Sequence, residues 1–340
     1  MIDFSNFVDL PLIWSGILVF SIFLYVLLDG FDLGVGILLP FAPTEACRDK
    51  MLNSIAPFWD GNETWLVLSG GVLFIAFPLA YSIVMPALYL PIVIMLVALV
   101  FRGVAFEFRA KASAESKKYW NSAFHFGSLI AAFSQGVILG AIMQGFEVDG
   151  RVFSGSGFGW LTSFSIVTGI SLVFGYALLG ATWVILKTED TTQDWARKCA
   201  LYTMIYVPLL MGIVSLWIPF IDESIYDTWF KAPNIFYLLP VPIMVVITTC
   251  LLYKTIMRDG EASPFFLSVL LFCFGFFGFG VSLWPWAVPR KITIWEAAAS
   301  PESLSLTLIG VVLILPVILS YTGYSYYVFR GKSQKESMFY

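Results

Sequence analysis

Six charged residues lie within or at the ends of strongly apolar runs, and four of them are spaced as helix faces are. Asp29 and Asp32 in LLDGFDLGVG, and Asp60 and Glu63 in PFWDGNETW, are separated by i, i+3, so each pair falls on one side of a helix. Arg102 and Glu107 follow at the end of a third apolar run, in FRGVAFEFR. Carboxyls at hydrogen-bonding separation can pass protons, or they can lock onto a guanidinium. Two readings therefore stand open for the group, a polar inlet or an ion-pair knot, with Arg102 and Glu107 expected as a structural pair. An unpaired charge in a membrane span costs roughly 2.5–3.5 kcal/mol, so four lipid-facing carboxylates would cost on the order of 10 kcal/mol. They must face protein, water or one another.

Other chemistry is thinly represented. His125 is the only histidine, and a lone histidine between Phe124 and Phe126 reads as a hydrogen-bonded structural residue. Haem iron is commonly held between two axial ligands, so one histidine does not serve several haems. Cys47, Cys199, Cys250 and Cys273 form no CxxC and are expected to be reduced. The chain has no Walker loop, dinucleotide fingerprint or zinc spacing, and no basic tract for nucleic acid at a net charge of -4. No metal site is expected.

The elements that must position these residues are membrane helices. Apolar residues make up 59% of the 340, charged residues 12%, and mean hydropathy is +0.85. Soluble domains carry about twice that charged share. A bilayer core of about 30 Å needs about 20 apolar residues per helix. Runs of that kind cover approximately 11–38, 54–78, 83–106, 121–145, 160–186, 199–220, 235–254, 264–285 and 304–329. The fold class is thus an all-α integral membrane protein of about nine transmembrane helices, with 1–340 forming one transmembrane domain. The opening Met1–Asn6 has neither a basic segment nor a small-residue cleavage site, so the first run is expected to remain in the mature chain. Gly30 and Gly34 form a GxxxG, and with Gly70 and Gly71 they read as places of close helix approach.

Charge asymmetry orients the chain. Most of the 19 Lys and Arg fall after the first, third, fifth and seventh runs and in the C-terminal stretch through Lys335. The opposite side has Arg151, Lys231, Arg290 and Lys291. The positive-inside rule then puts the N-terminus outside and the C-terminus in the cytoplasm. All six charged residues are expected in the cytoplasmic half.

DGFDLGVGILLPF, NSIAPFWDGNETWLVLSGG and FRGVAFEFR, with Trp295-Glu296-Ala297 and LPVILSYTGYSYY further on, resemble the hallmark segments of subunit II of cytochrome bd-type quinol oxidases. The resemblance runs from about residue 11 to 332, and FRGVAFEFR is closer to the cyanide-insensitive branch. It implies two four-helix bundles, 11–145 and 160–285, plus a peripheral helix at 304–329. It implies a heterodimer in the bacterial cytoplasmic membrane with a haem-binding subunit I, which carries haems b and d, or b only, and oxidises quinol. This chain would bind no haem itself, would hold a structural quinone in some members, and would be joined in others by a small single-helix subunit. On the motif positions, the resemblance implies that Asp60 lies along a proton path and Trp65 by the entrance of an oxygen route. Asp29 and Asp32 would belong to the same polar interior; Glu63 is glutamine in some members. The rival readings are a secondary transporter that uses the carboxylates for coupling, and a purely scaffolding membrane subunit.

Overall fold

A computed structural model gives the fold and describes residues 9–333. Met1–Asn6 and Lys335, used above for the leader and the charge balance, lie outside the described residues. In chain order the helices are α1 (Leu10–Leu38), α2 (Glu45–Ile55), α3 (Trp59–Ala76), α4 (Pro78–Ala87), α5 (Tyr89–Ala110), α6 (Ala114–Gln144) and α7 (Ser163–Lys187). They continue as α8 (Asp190–Trp217), α9 (Glu223–Phe230), α10 (Asn234–Leu238), α11 (Pro240–Met257), α12 (Ser263–Leu283), α13 (Ile294–Ala297) and α14 (Pro301–Val328). Two small antiparallel hairpins complete the chain: β1 (Val148–Asp149) with β2 (Val152–Phe153), and β3 (Trp286–Val288) with β4 (Ile292–Thr293).

Among the described residues, eight helices are long and apolar enough to cross a membrane. The second expected run is the exception. Its helix α3 has 18 residues, and its first two turns carry Asp60, Asn62 and Glu63. The expected third run, 83–106, is also divided. Pro78 starts α4, and the chain breaks again at Leu88, where Pro91 has no N–H to give the Ala87 carbonyl. The membrane-length helix is α5. Counting α3, the architecture is the expected all-helical one.

Helix starts follow local chemistry. Asp9 caps α1 by accepting from Leu12 N at 3.0 Å, Thr44 caps α2, and Thr162 with Ser165 forms a capping box on α7. The core is built around α1 and α7. From Asp29 to Leu39 every residue is buried, and so is every residue of α7 from Gly175 to Ile185. Helices buried all round need apolar residues all round, and close crossing needs glycine. A Cβ on Gly34 would collide with the Tyr176 carbonyl, and one on Gly180 with the Gly34 backbone. Close approach at Gly30 and Gly34 is thus real; Gly70 and Gly71 meet nothing within 4 Å and face outward instead. Phe31 stacks on Trp183 at 4.1 Å across this crossing, an aromatic contact that contributes about 0.5–1.5 kcal/mol.

At one end of the bundle, basic side chains tie the connections together. Arg109 reaches Glu45 and Asp49, Arg197 donates to the Gly260 and Asp259 carbonyls, and Lys187 holds Phe329 O and, at 3.0 Å, Gly331 O. At the other end, Arg290 donates to the last carbonyls of α6, at Met143 and Gln144, and sits 3.4 Å from Asp222. Placing a guanidinium at a helix C-terminus also favours the helix dipole.

Candidate functional site: a buried acid cluster at the α1–α3–α5 junction

The buried stripe of α3 is Asn62, Trp65, Ser69, Val72 and Ala76, a helical repeat that lies against α1. It sets which polar side chains meet. Arg102, from α5, donates through Nη2 to Asp29 Oδ1 at 2.6 Å and lies 3.2 Å from Glu63 Oε1. Arg102 is 1% exposed, and Asp29 and Asp32 are fully buried. Asn62 Nδ2 donates to Asp32 Oδ2 at 2.7 Å and to the Leu28 carbonyl at 3.1 Å. The Tyr326 hydroxyl, from α14, donates to Asn62 Oδ1 at 3.0 Å. One face of α1 continues the polar line: Tyr25 accepts from Gln135 Nε2 at 2.7 Å, Tyr176 donates to Gln135 Oε1 at 2.8 Å, and Ser21 accepts from Ser69 Oγ at 3.1 Å.

Several buried polar atoms have no hydrogen-bond partner among the described residues: Asp29 Oδ2, Asp32 Oδ1, and Nε and Nη1 of Arg102, while Glu63 Oε1 has only its ion pair with Arg102. Such groups are rare in folded proteins and concentrate where function needs them. The cluster holds three carboxyls against one guanidinium, so it has room for protons.

Of the six charged residues anticipated together, four meet: Asp29, Asp32, Glu63 and Arg102. Asp60 does not join them; it is exposed on α3, off the buried stripe. The expected pairing of Arg102 with Glu107 is not formed. Five residues along a helix amount to a turn of about 140° away from the starting face, and Glu107 is exposed while Arg102 points inward to Asp29 and Glu63. Trp65 is 1% exposed, edge-on to Phe20 at 6.2 Å, and its Nε1 has no hydrogen-bond partner among the described residues. Asn62, Tyr326, Tyr25, Gln135 and Tyr176 were not singled out from the sequence. Asn62 and Tyr25 carried a local signal, since each shares a helix face with an anticipated site, and Tyr326 lies in the quoted LPVILSYTGYSYY segment; Gln135 and Tyr176 carried none.

His125 lies with Nδ1 3.2 Å from the Gly36 carbonyl and has Phe41 and Phe126 edge-on beside it. Among the described residues, no group of three or more His, Cys, Asp or Glu side chains is placed to hold a metal ion.

Residues 10–329 match the family described as cytochrome bd terminal oxidase subunit II. The chain belongs to that family. It is 31% identical to the cytochrome bd ubiquinol oxidase subunit 2 of Bacillus subtilis, over 93% of this chain and 95% of that one. It is 27% identical to the cytochrome bd-I ubiquinol oxidase subunit 2 of Escherichia coli K12, over 92% of each. Its fold is similar to a chain of the bd oxidase from Geobacillus thermodenitrificans, with a TM-score of 0.74 over 94% of this chain and 98% of that chain, at 16% identity. This bd-family subunit is a multi-pass membrane protein and part of an oxidoreductase assembly.

Proposed function

We propose that the chain is the haem-free second subunit of a quinol:oxygen oxidoreductase in a bacterial cytoplasmic membrane. It holds a haem-bearing subunit I and opens proton and oxygen routes toward it, so that turnover generates proton-motive force. The haems of that partner supply the oxygen chemistry. This chain's side chains move protons and exclude lipid. The supporting observation is the buried cluster of Asp29, Asp32, Glu63 and Arg102, with more acid than base and with unpaired oxygens.

In this reading Glu63, whose side chain is 27% exposed, is the cluster's outlet. Asp60 stands on the outward face of the same helix and passes protons to or from the partner. Trp65, buried among apolar neighbours, lies beside the oxygen route. An exposed carboxylate within the helix array is costly in lipid, which supports a protein partner against α3. In the same reading the N-terminus lies outside and the C-terminus in the cytoplasm; the cationic ties at one end of the bundle support it. Two four-helix units, 11–145 and 160–285, are joined through α1, α6 and α7. Beside them α14 forms the peripheral helix, attached near its ends through Leu304, whose carbonyl accepts from Trp14 Nε1 at 3.2 Å, and through Tyr326.

A scaffolding role is the second reading, favoured by the close Asp29–Arg102 pair, which is a structural bond in its own right. Asp60→Asn separates the two. Slowed oxidase turnover and slowed proton uptake in vesicles, with the haem spectrum intact, are expected for the conduit. Unchanged rates eliminate Asp60 from proton transfer, and haem loss assigns it to assembly.

A further inference from the structure

Of the three carboxyls in the cluster, Asp32 is the one with no cation at ion-pair distance among the described residues. Arg102 Nη2 serves Asp29 at 2.6 Å and Glu63 at 3.2 Å, whereas Asp32 receives only a neutral amide N–H, from Asn62 at 2.7 Å. Its other oxygen, Oδ1, is buried and has no hydrogen-bond partner among the described residues. The groups facing it are Asp29 on its own helix, Asn62 and Glu63 on α3, Arg102 on α5 and Tyr326 on α14. An ionised carboxylate held there beside Asp29 would meet like charge and a desolvation penalty of several kcal/mol, and a buried group in that position takes up a proton instead.

The orientation of the Asn62 amide decides which oxygen is protonated. Nδ2 also donates to the Leu28 carbonyl at 3.1 Å, and a carbonyl only accepts. A flipped amide would set Oδ1 against that carbonyl and lose the Tyr326 hydroxyl as its donor. Asn62 therefore keeps its N–H on Asp32 Oδ2. We infer that Asp32 is the resident neutral acid of the cluster, carrying its proton on Oδ1, and that Asn62 and Tyr326 are positioning residues that hold it in that form. This rests on the proton-access reading only for the proton's use in turnover; the charge assignment stands on the contacts.

The test is infrared spectroscopy of the complete oxidase in native membrane discs at neutral pH, with carboxyl-labelled aspartate. An isotope-shifted carbonyl band of a protonated aspartic acid is expected in the wild type. It should vanish in Asp32→Asn and shift in Tyr326→Phe, with the haem spectrum unchanged in the last. Absence of any such band in the wild type overturns the assignment without recourse to a variant. So does a band that survives Asp32→Asn. A band unmoved by Tyr326→Phe removes that residue's positioning role. Full turnover in Asp32→Asn with the band lost would support the assignment while taking Asp32 out of the proton route.

Discussion

Two polar networks in this chain use the same side chains in opposite settings. In the interior cluster, one guanidinium faces three carboxyls, Arg102 makes its contacts among the described residues through Nη2, and all but Glu63 of the four are buried. At the basic end of the bundle, Arg109 donates through Nε to Asn121 and through Nη2 to Glu45 at 2.6 Å, and its Nη1 lies 2.8 Å from Asp49, with Arg48 and Lys117 adding further cations. The outer network is saturated, charge-compensated and partly in water, since the Glu45 side chain is 41% exposed and that of Asp49 34%. It fastens the surface helix α2 across the ends of α5 and α6. The inner one leaves donors and acceptors idle in a low-dielectric setting. A saturated network serves to hold helices in place, whereas an unsaturated one inside a membrane has capacity left to bind and release protons.

The largest effect is expected where compensation is scarcest. Arg102→Met leaves Asp29 and Glu63 without a cation, and breaking a buried pair from one side costs about 3–5 kcal/mol. The assembled complex should accumulate poorly or melt markedly earlier in detergent. Adding Asp29→Asn should recover part of the loss, because the stranded charge is gone. If Arg102→Met melts with the wild type, those carboxyls carry no charge that needs Arg102, and the contrast between the two networks collapses.

That contrast was partly legible from residue types alone. The apolar runs located the long helices, and burial cost placed Asp29 and Asp32 inside. The outward position of Asp60 was not read from the sequence; it follows from the burial of Asn62, Trp65, Ser69, Val72 and Ala76 as one helical stripe, with Asp60 off it. The same arithmetic excludes Glu107 from the face of Arg102. The break between α4 and α5 was missed, because the third run was expected unbroken over 83–106 although Pro86 and Pro91 lie within it. Tyr326 was beyond such reading. It joins Asn62 from 264 positions away, and only the docking of α14 brings the two together. The bond between Lys187 and the Phe329 carbonyl, 142 positions apart, is of the same kind.

A smaller loss is expected from Arg109→Met, about 1 kcal/mol, because its partners are partly hydrated and keep other donors. Ionic strength sharpens the comparison. Exposed pairs are screened over about 8 Å at physiological salt, and buried ones much less. Raising salt should therefore shrink the difference in melting temperature between wild type and Arg109→Met, while the Arg102→Met difference stays. Equal salt dependence of the two would mean that water reaches Arg102 as freely as it reaches Arg109.

The smallest effect is a pH dependence confined to the outer network. Burial pushes the Glu45 carboxyl up, but hydrogen bonds from Arg48 and Asn121 and the charge of Arg109 outweigh it and hold Glu45 below its ordinary value of 4.5. A carboxyl whose folded-state value is depressed contributes its stability in full above the unfolded value and loses it as pH falls through the folded one. The advantage of wild type over Glu45→Gln in thermal unfolding should thus be constant from neutral pH down to about 4.5 and fade below it. A difference that persists unchanged into more acid solution would show that the Glu45 contacts act through shape and amide hydrogen bonding alone. The outer network would then owe its hold on α2 to Asp49 and Arg109.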